Sequence, residues 1–276
     1  MKPKIFLLIG DHPFNKALSY KLNEYFNITG IVYERRNGRD ISKLQFKEIV
    51  DKLLSKLLLR KLNNAWFDLL EHYHSRYPNY LNVPELLVEN INSNSTLDFF
   101  SNNPAPLILV SGTRLIKQNI LDLRPDIGIV NLHTGLSPYI NGGPNCTNWC
   151  LSNNTFHLIG NTVMWLDLGI DSGNIISTKT VDFTGEENLT EVYVKVFEES
   201  HELYINAARS IFDTPKLVPN IQQSRIANGI TYYNRMWTFS KKIRTLNNFR
   251  KFKTTIESQE YIDRKKSLKT IHCTIK

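Results

Sequence analysis

Asn131 and His133 stand two residues apart at the end of the apolar run Ile127 to Leu132, and the alternation of a strand turns both side chains to one face. An amide donor then sits beside a titratable imidazole. Directly after them come Thr134-Gly135-Leu136-Ser137-Pro138 and Gly142-Gly143-Pro144. Their glycines and prolines fix a tight path at the carboxyl end of a strand, where open α/β sheets bind ligands. Farther on, Asp167-Leu168-Gly169-Ile170-Asp171-Ser172-Gly173 is a second glycine-punctuated loop carrying two carboxylates. Amide, imidazole and carboxylate are a sufficient set for acyl-group transfer: a donor for the oxyanion, a proton shuttle, and a base that also orients the imidazole. Each alone has a plainer reading, because a histidine at a strand end is often structural, an asparagine there caps a turn, and aspartates in such loops make turn hydrogen bonds.

Other devices are absent. No G-x-G-x-x-G follows the first strand and no G-x-x-x-x-G-K-[ST] occurs, so hydride transfer and nucleotide hydrolysis have no support. There is no H-E-x-x-H, no paired C-x-x-C and no G-x-S-x-G nucleophile elbow. Cys146 and Cys150 are spaced for one helix face, but two thiols without a nearby histidine make a poor zinc site. Ordinary packing is expected of them, and no metal is expected.

The elements that must position these residues read as an α/β chain. Lys4 to Ile9 is a β-rich run, Asp11 to Asn15 carries turn and cap residues, Ala17 to Phe26 has helical spacing, and Ile28 to Tyr33 is β-rich again. Strand, helix and strand at the start point to an open sheet. From Ile41 to Tyr73, apolar residues recur at three and four (Ile41, Leu44, Ile49, Leu53, Leu57) among lysines, predicting one or two amphipathic helices that cover the sheet. Leu107 to Val110 predicts a buried strand, Ile116 to Leu121 a short helix, and Asn145 the start of a helix containing Trp149. Thr162 to Leu166 and Asn174 to Thr180 read as strands around the aspartate loop, and Thr190 to Phe212 as a long closing helix. Beyond Pro215 and Pro219 the pattern weakens. Residues 1–213 are therefore expected to form the main domain and 214–276 a small separate extension.

Composition sets the bounds. The 276 residues are 41% hydrophobic and 22% charged, with a mean hydropathy of −0.30, which excludes a disordered, collagenous or rod-like chain. No apolar run approaches the roughly 18 residues that span a bilayer. Three cysteines make no disulfide framework, so a reducing, cytoplasmic compartment is expected. From Arg225 to Lys276 there are 13 Lys/Arg against 3 Asp/Glu, a net charge of +10, whereas the first 224 residues hold 21 against 23, a net of −2. A basic tail suits an anionic partner, with a solvated surface as the alternative. Within it, Tyr232, Tyr233, Trp237 and Phe239 are interleaved with Arg235, Lys241 and Lys242. That mixture could stack a base and pair with phosphates, or simply dock the tail.

The combination resembles the formyltransferase catalytic domain shared by methionyl-tRNA, glycinamide ribonucleotide and nucleotide-sugar N-formyltransferases. Asn131-Leu132-His133-Thr134-Gly135-Leu136-Ser137-Pro138 with Gly142 matches that family's N-x-H-x-x-x-x-P-x-x-x-G. Gly160-Asn161-Thr162-Val163-Met164 through Gly169-Ile170-Asp171-Ser172-Gly173-Asn174-Ile175-Ile176 matches its second motif, and Val110 to Ile116 resembles the segment lining its folate pocket. The resemblance runs from about Pro106 to Phe212. It implies a Rossmann-like, open, mostly parallel α/β sheet with a small basic C-terminal extension, and an enzyme that transfers a formyl group from 10-formyltetrahydrofolate to a primary amine. By it, Asn131, His133 and Asp171 take the catalytic positions, and Arg114, Leu115, Ile116, Leu166, Asp167 and Gly169 the folate contacts. Met164 stands where relatives often carry histidine, and the loop Pro138 to Gly142 lacks the arginine that methionyl-tRNA formyltransferases carry before the glycine. A nucleotide-linked amino sugar is the expected acceptor, with methionyl-tRNA or glycinamide ribonucleotide as alternatives. From another class, a nucleic-acid-binding protein with a vestigial folate domain would also use the basic tail.

Overall fold

The computed structural model describes residues 1–35 and 58–273. Strands β1 (Lys4–Gly10), β2 (Asn27–Glu34), β3 (Glu85–Val88), β4 (Leu107–Ser111), β5 (Gly128–His133), β7 (Gly160–Trp165) and β8 (Ile175–Thr180) form one seven-stranded sheet in the order β3-β2-β1-β4-β5-β7-β8. The pairs from β3 through β5 are parallel, and β7 and β8 are antiparallel additions. The expected open, mostly parallel sheet is thus present. β3 went unread in the sequence, because this four-residue edge strand buries only Val88.

Alternation divides the sheet between two layers. Ile5, Leu7, Ile9, Leu107, Leu109, Val130 and Leu132 face helix α1 (Pro13–Asn23) and the long helix α6 (Leu189–Asp213), meeting Leu18, Leu22, Tyr204, Ala207, Ala208 and Ile211. Phe6, Leu8, Ile108, Val110 and Ile129 face the opposite way, onto Phe100 of α3 (Asn94–Asn102) and Ile120 of α4 (Gln118–Leu121). The helix starts are set chemically. Pro13 opens α1 without needing an N–H, and Asn188 and Glu191 close a capping box on α6. Of the predicted helices over Ile41 to Tyr73, the last part is α2 (Arg60–His74), which buries Leu62, Ala65, Leu69 and Tyr73 at helical spacing. Ile41, Leu44, Ile49, Leu53 and Leu57 lie outside the described residues.

The chain beyond Asp213 does not build a core of its own, in contrast to the separate element expected. Helix α7 (Phe239–Phe249) packs onto α5 (Cys146–Ser152), α8 (Phe252–Ile256) sets Phe252 against Phe156, and α9 (Gln259–Lys266) lies on the turn Phe156–Leu158; Phe252, Ile256 and Tyr261 are buried in one cluster with Trp149, Phe156, Val192 and Tyr193. A second sheet ties the extension in through its backbone: β9 (Ile230–Tyr232) pairs in parallel with β6 (Ile140–Gly142). Neither three-residue strand was legible, since their pairing joins segments about ninety residues apart.

The packing of α1, α2 and α6 contains a buried imidazole. His201 is 1% exposed, and burial, aided by the Lys21 ammonium, pushes it down from 6.5 to about 3. Lys21 Nζ lies 3.4 Å from His201 Nδ1 and donates at 2.7 Å to Glu198, which also accepts from the Tyr73 hydroxyl. The unfolded chain takes up a proton at this residue below about pH 6.5, the folded chain only near pH 3. This contribution to stability is therefore complete above pH 6.5 and is lost as the pH falls through that window. Thermal midpoints between pH 7 and pH 4 should fall less steeply for His201→Gln than for the wild type. Parallel curves would remove His201 from the account.

Candidate active site

The carboxyl ends of β1, β4 and β5 open onto a cleft of about 630 Å³. Its walls include Asn131, His133, Arg114, Leu115, Ile116, Leu166, Asp167, Gly169 and Asp171, so the three expected catalytic residues and the six expected folate contacts line one cavity. Why they meet there follows from the strands. β5 places Asn131 opposite Met164 and His133 opposite Thr162 of β7, and the aspartate loop is the β7–β8 connection. β7 ends with Trp165 opposite Val130, at the amino half of β5, and the loop then doubles back along the strand to bring Asp171 to His133.

His133 Nδ1 lies 3.4 Å from Asp171 Oδ2, with the two side chains 10% and 17% exposed. The same carboxylate oxygen accepts the Gly142 N–H at 2.9 Å. Asp171 holds a left-handed conformation, φ 49°, which few non-glycine residues adopt without outside support. Gly142 has φ +88°, and a Cβ there would lie 2.0 Å from the Tyr232 carbonyl oxygen, so the β6–β9 pairing itself demands glycine. Thr162 fixes the loop after His133, donating to the Gly135 carbonyl at 2.7 Å and accepting from the Ser137 N–H at 2.8 Å. Among the described residues the Asn131 side chain has no protein hydrogen-bond partner, which leaves its amide available to a ligand.

The other end of the imidazole corrects the sequence reading. His133 Nε2 is 3.5 Å from Cys146 Sγ, so a histidine does stand beside this thiol. Burial pushes the Cys146 thiol well up, with Cys150 and Asp171 adding to it. It is a neutral neighbour rather than a thiolate nucleophile or metal ligand. Among the described residues no group of three histidine, cysteine or carboxylate side chains could hold a metal ion.

Two supporting groups were missed in the sequence. Glu34, at the end of β2, is buried and accepts the Ile91 N–H at 2.9 Å and the Arg114 N–H at 2.7 Å, which sets the wall carrying Arg114 to Ile116. Asn15 donates to the Gly10 carbonyl at 2.8 Å and accepts from the Ser111 hydroxyl at 3.1 Å, joining the ends of β1 and β4. The sequence carries no signal for Glu34, because its partners lie far away along the chain. Asp167, in contrast, uses its carboxylate within its own loop, accepting from the Gly169 N–H at 3.0 Å and the Ser172 hydroxyl at 2.6 Å.

The aromatic residues of the tail mostly serve docking. Tyr232 stacks on Trp149 with centroids 4.2 Å apart, Trp237 meets the same indole edge-on at 4.8 Å, and Phe239 packs on the core. Lys241 lies 5.8 Å over Trp149. Only Asn234 of that stretch lines the cleft, flanked by exposed Tyr233 and Arg235, whose guanidinium is 5.5 Å from the Tyr233 ring.

Comparison with known proteins bears on what such a cleft is. Residues 91–208 match the formyl transferase family. Methionyl-tRNA formyltransferase of Clostridium tetani is 30% identical over 113 residues, 40% of this chain and 35% of that protein, so the match spans about a third of the relative's length. In fold, the chain is similar to a 4-N formyltransferase from Francisella tularensis (TM-score 0.53, 18% identity, 89% of this chain and 87% of that one). It is also similar to glycinamide ribonucleotide transformylase 1 from Symbiobacterium toebii (TM-score 0.54, 18% identity, 80% and 95%). The matched segment runs from the turn before α3 into α6 and contains β4, β5, the aspartate loop and all three residues of the polar constellation, and over that segment the chain is similar to the formyl transferase family.

Proposed function

We propose that the cleft transfers a formyl group from 10-formyltetrahydrofolate to the primary amine of a small acceptor, a nucleotide-linked amino sugar. The observation that carries this reading is the convergence of Asn131, His133 and Asp171 on one cavity at the strand ends. As the amine attacks the formyl carbon, charge develops on the formyl oxygen, and the Asn131 amide with a protonated His133 stabilises it. Asp171 orients the imidazole and takes the amine proton, directly or through water. The tetrahedral intermediate then collapses as its bond to the folate nitrogen breaks, and that nitrogen departs carrying the proton that Asp171 took from the amine. Arg114, Leu115, Ile116, Leu166, Asp167 and Gly169 would receive the folate, a flat pteridine suiting apolar walls edged by backbone polar groups.

The small acceptor is supported by the extension, which spends its described length on one strand and short helices docked against the core of the main domain. A tRNA acceptor is the second reading, favoured by the similarity to the Clostridium tetani enzyme. Incubation with 10-formyltetrahydrofolate and a panel of amines, following release of tetrahydrofolate, separates them. Turnover with a nucleoside-diphosphate amino sugar is expected, turnover with methionyl-tRNA alone would select the second reading, and none with any amine would end the formyl-transfer account.

Arg235 is the tail cation best placed to meet an acceptor phosphate, being next to the cleft-lining Asn234. Arg235→Ala should raise the acceptor KM about tenfold and leave the donor KM unchanged, the signature of lost uniform binding to one substrate. Lys241→Ala and Lys242→Ala should do less. Equal effects on both substrates would leave Arg235 a structural role only.

A further inference from the structure

Gln223 lies in the extension, beyond the segment that matches the formyl transferase family, yet its side chain is bonded into the loops of the cleft. Its Nε2 donates to two carbonyl oxygens of the aspartate loop, that of Asp171 at 2.6 Å and that of Gly173 at 2.9 Å. Carbonyls only accept, so the amide orientation is fixed, and Gln223 Oε1 accepts from Asn141 Nδ2 at 3.2 Å. Asn141 precedes Gly142, whose N–H donates to the Asp171 carboxylate. One side chain thus spans the two loops whose junction brings Asp171 to His133. Its own backbone is anchored nearby, since Ile221 and Ile175 exchange both backbone hydrogen bonds beside Gly173.

We infer that Gln223 is a positioning residue of the reaction, holding Asp171 in its left-handed conformation so that the carboxylate stays on the imidazole. The inference rests on the proposed formyl-transfer reading. It makes the extension a part of the catalytic apparatus as well as a cover for the core. A methionine at 223 fills similar space without the donor pair, so Gln223→Met removes the hydrogen bonds while largely sparing the packing.

Three readouts test it. Gln223→Met should lower kcat by about ten- to a hundredfold while the KM values of both substrates change by less than about threefold, since an interaction that acts on the reacting groups alone spares ground-state binding. In an Asp171→Ala background the same substitution should cost nearly nothing more, because its effect passes through a group already removed. Hydrogen exchange at the Gly142 amide and across residues 167–173 should quicken in Gln223→Met, and this is read without any substrate. A full additional loss in the Asp171→Ala background, or unchanged exchange at Gly142, would overturn the positioning role. Wild-type protein inactive on every amine would defeat the formyl-transfer reading instead, with the exchange result still deciding whether Gln223 holds the loops.

Discussion

His133→Ala, Asn131→Ala and Asp171→Ala should each lower formyl transfer by at least about a hundredfold, the scale expected for loss of an oxyanion donor or a general acid/base. The three are expected to differ in kind. Asn131 has no side-chain hydrogen-bond partner among the described residues, so its removal should lower kcat and leave the fold untouched. His133 is packed between the Asp171 carboxylate and the Cys146 thiol, and its truncation leaves a gap beside both. Asp171 holds the Gly142 N–H as well as the imidazole, so Asp171→Ala should also loosen the glycine loop. Their effects should not add, because they act on one transition state. Steady-state kinetics on the single and double variants, with circular dichroism to verify folding, checks this. Near-wild-type turnover in any two of the single variants would sink the assignment.

Trp149→Ala should be the most damaging substitution for stability, costing about 3–5 kcal/mol, the range for truncating a buried tryptophan. The indole is 1% exposed and its Nε1–H donates to the Gly143 carbonyl at 3.0 Å. Two aromatic residues of the extension, Tyr232 and Trp237, pack against it. The loss is therefore local as well as global: without the indole, β9 loses its stacking partner and the chain after Asp213 should become susceptible to proteolysis. Denaturant unfolding gives the magnitude and limited proteolysis the location. A cost below about 1 kcal/mol would mean that the extension docks by other contacts, since so small a change is typical of exposed sites.

How much of this was legible in the sequence depends on the range over which each feature is encoded. β1, β2, β4 and β5 are apolar runs, and Asn145 and Asn188 cap helices within a few residues of themselves, so those elements could be read locally. Asn131, His133 and Asp171 were visible as motif residues. The contact of Asp171 with His133 was not legible from the residues, because the loop leaves β7 opposite Val130 and has to double back along β5 to reach the imidazole. Glu34 and Gln223 left no pattern at all: each acts by bonding backbone groups fifty or more residues away. Cys146 was read as packing and is buried, but the histidine beside it is thirteen positions earlier, on a different element. The tail's charge was read correctly as a compositional fact, whereas its aromatic residues turned inward because Trp149 offered a surface that composition does not reveal.

The central claim is that Asn131, His133 and Asp171 move a formyl group from a folate nitrogen to an amine. A single-turnover reaction with donor labelled with carbon-13 at the formyl carbon, analysed by mass spectrometry of the acceptor, tests it most directly. The label should arrive intact on the acceptor amine, one for each donor consumed, and arrive at least about a hundredfold more slowly with His133→Ala. Label released only as free formate, or delivered equally fast by the variant, would contradict it.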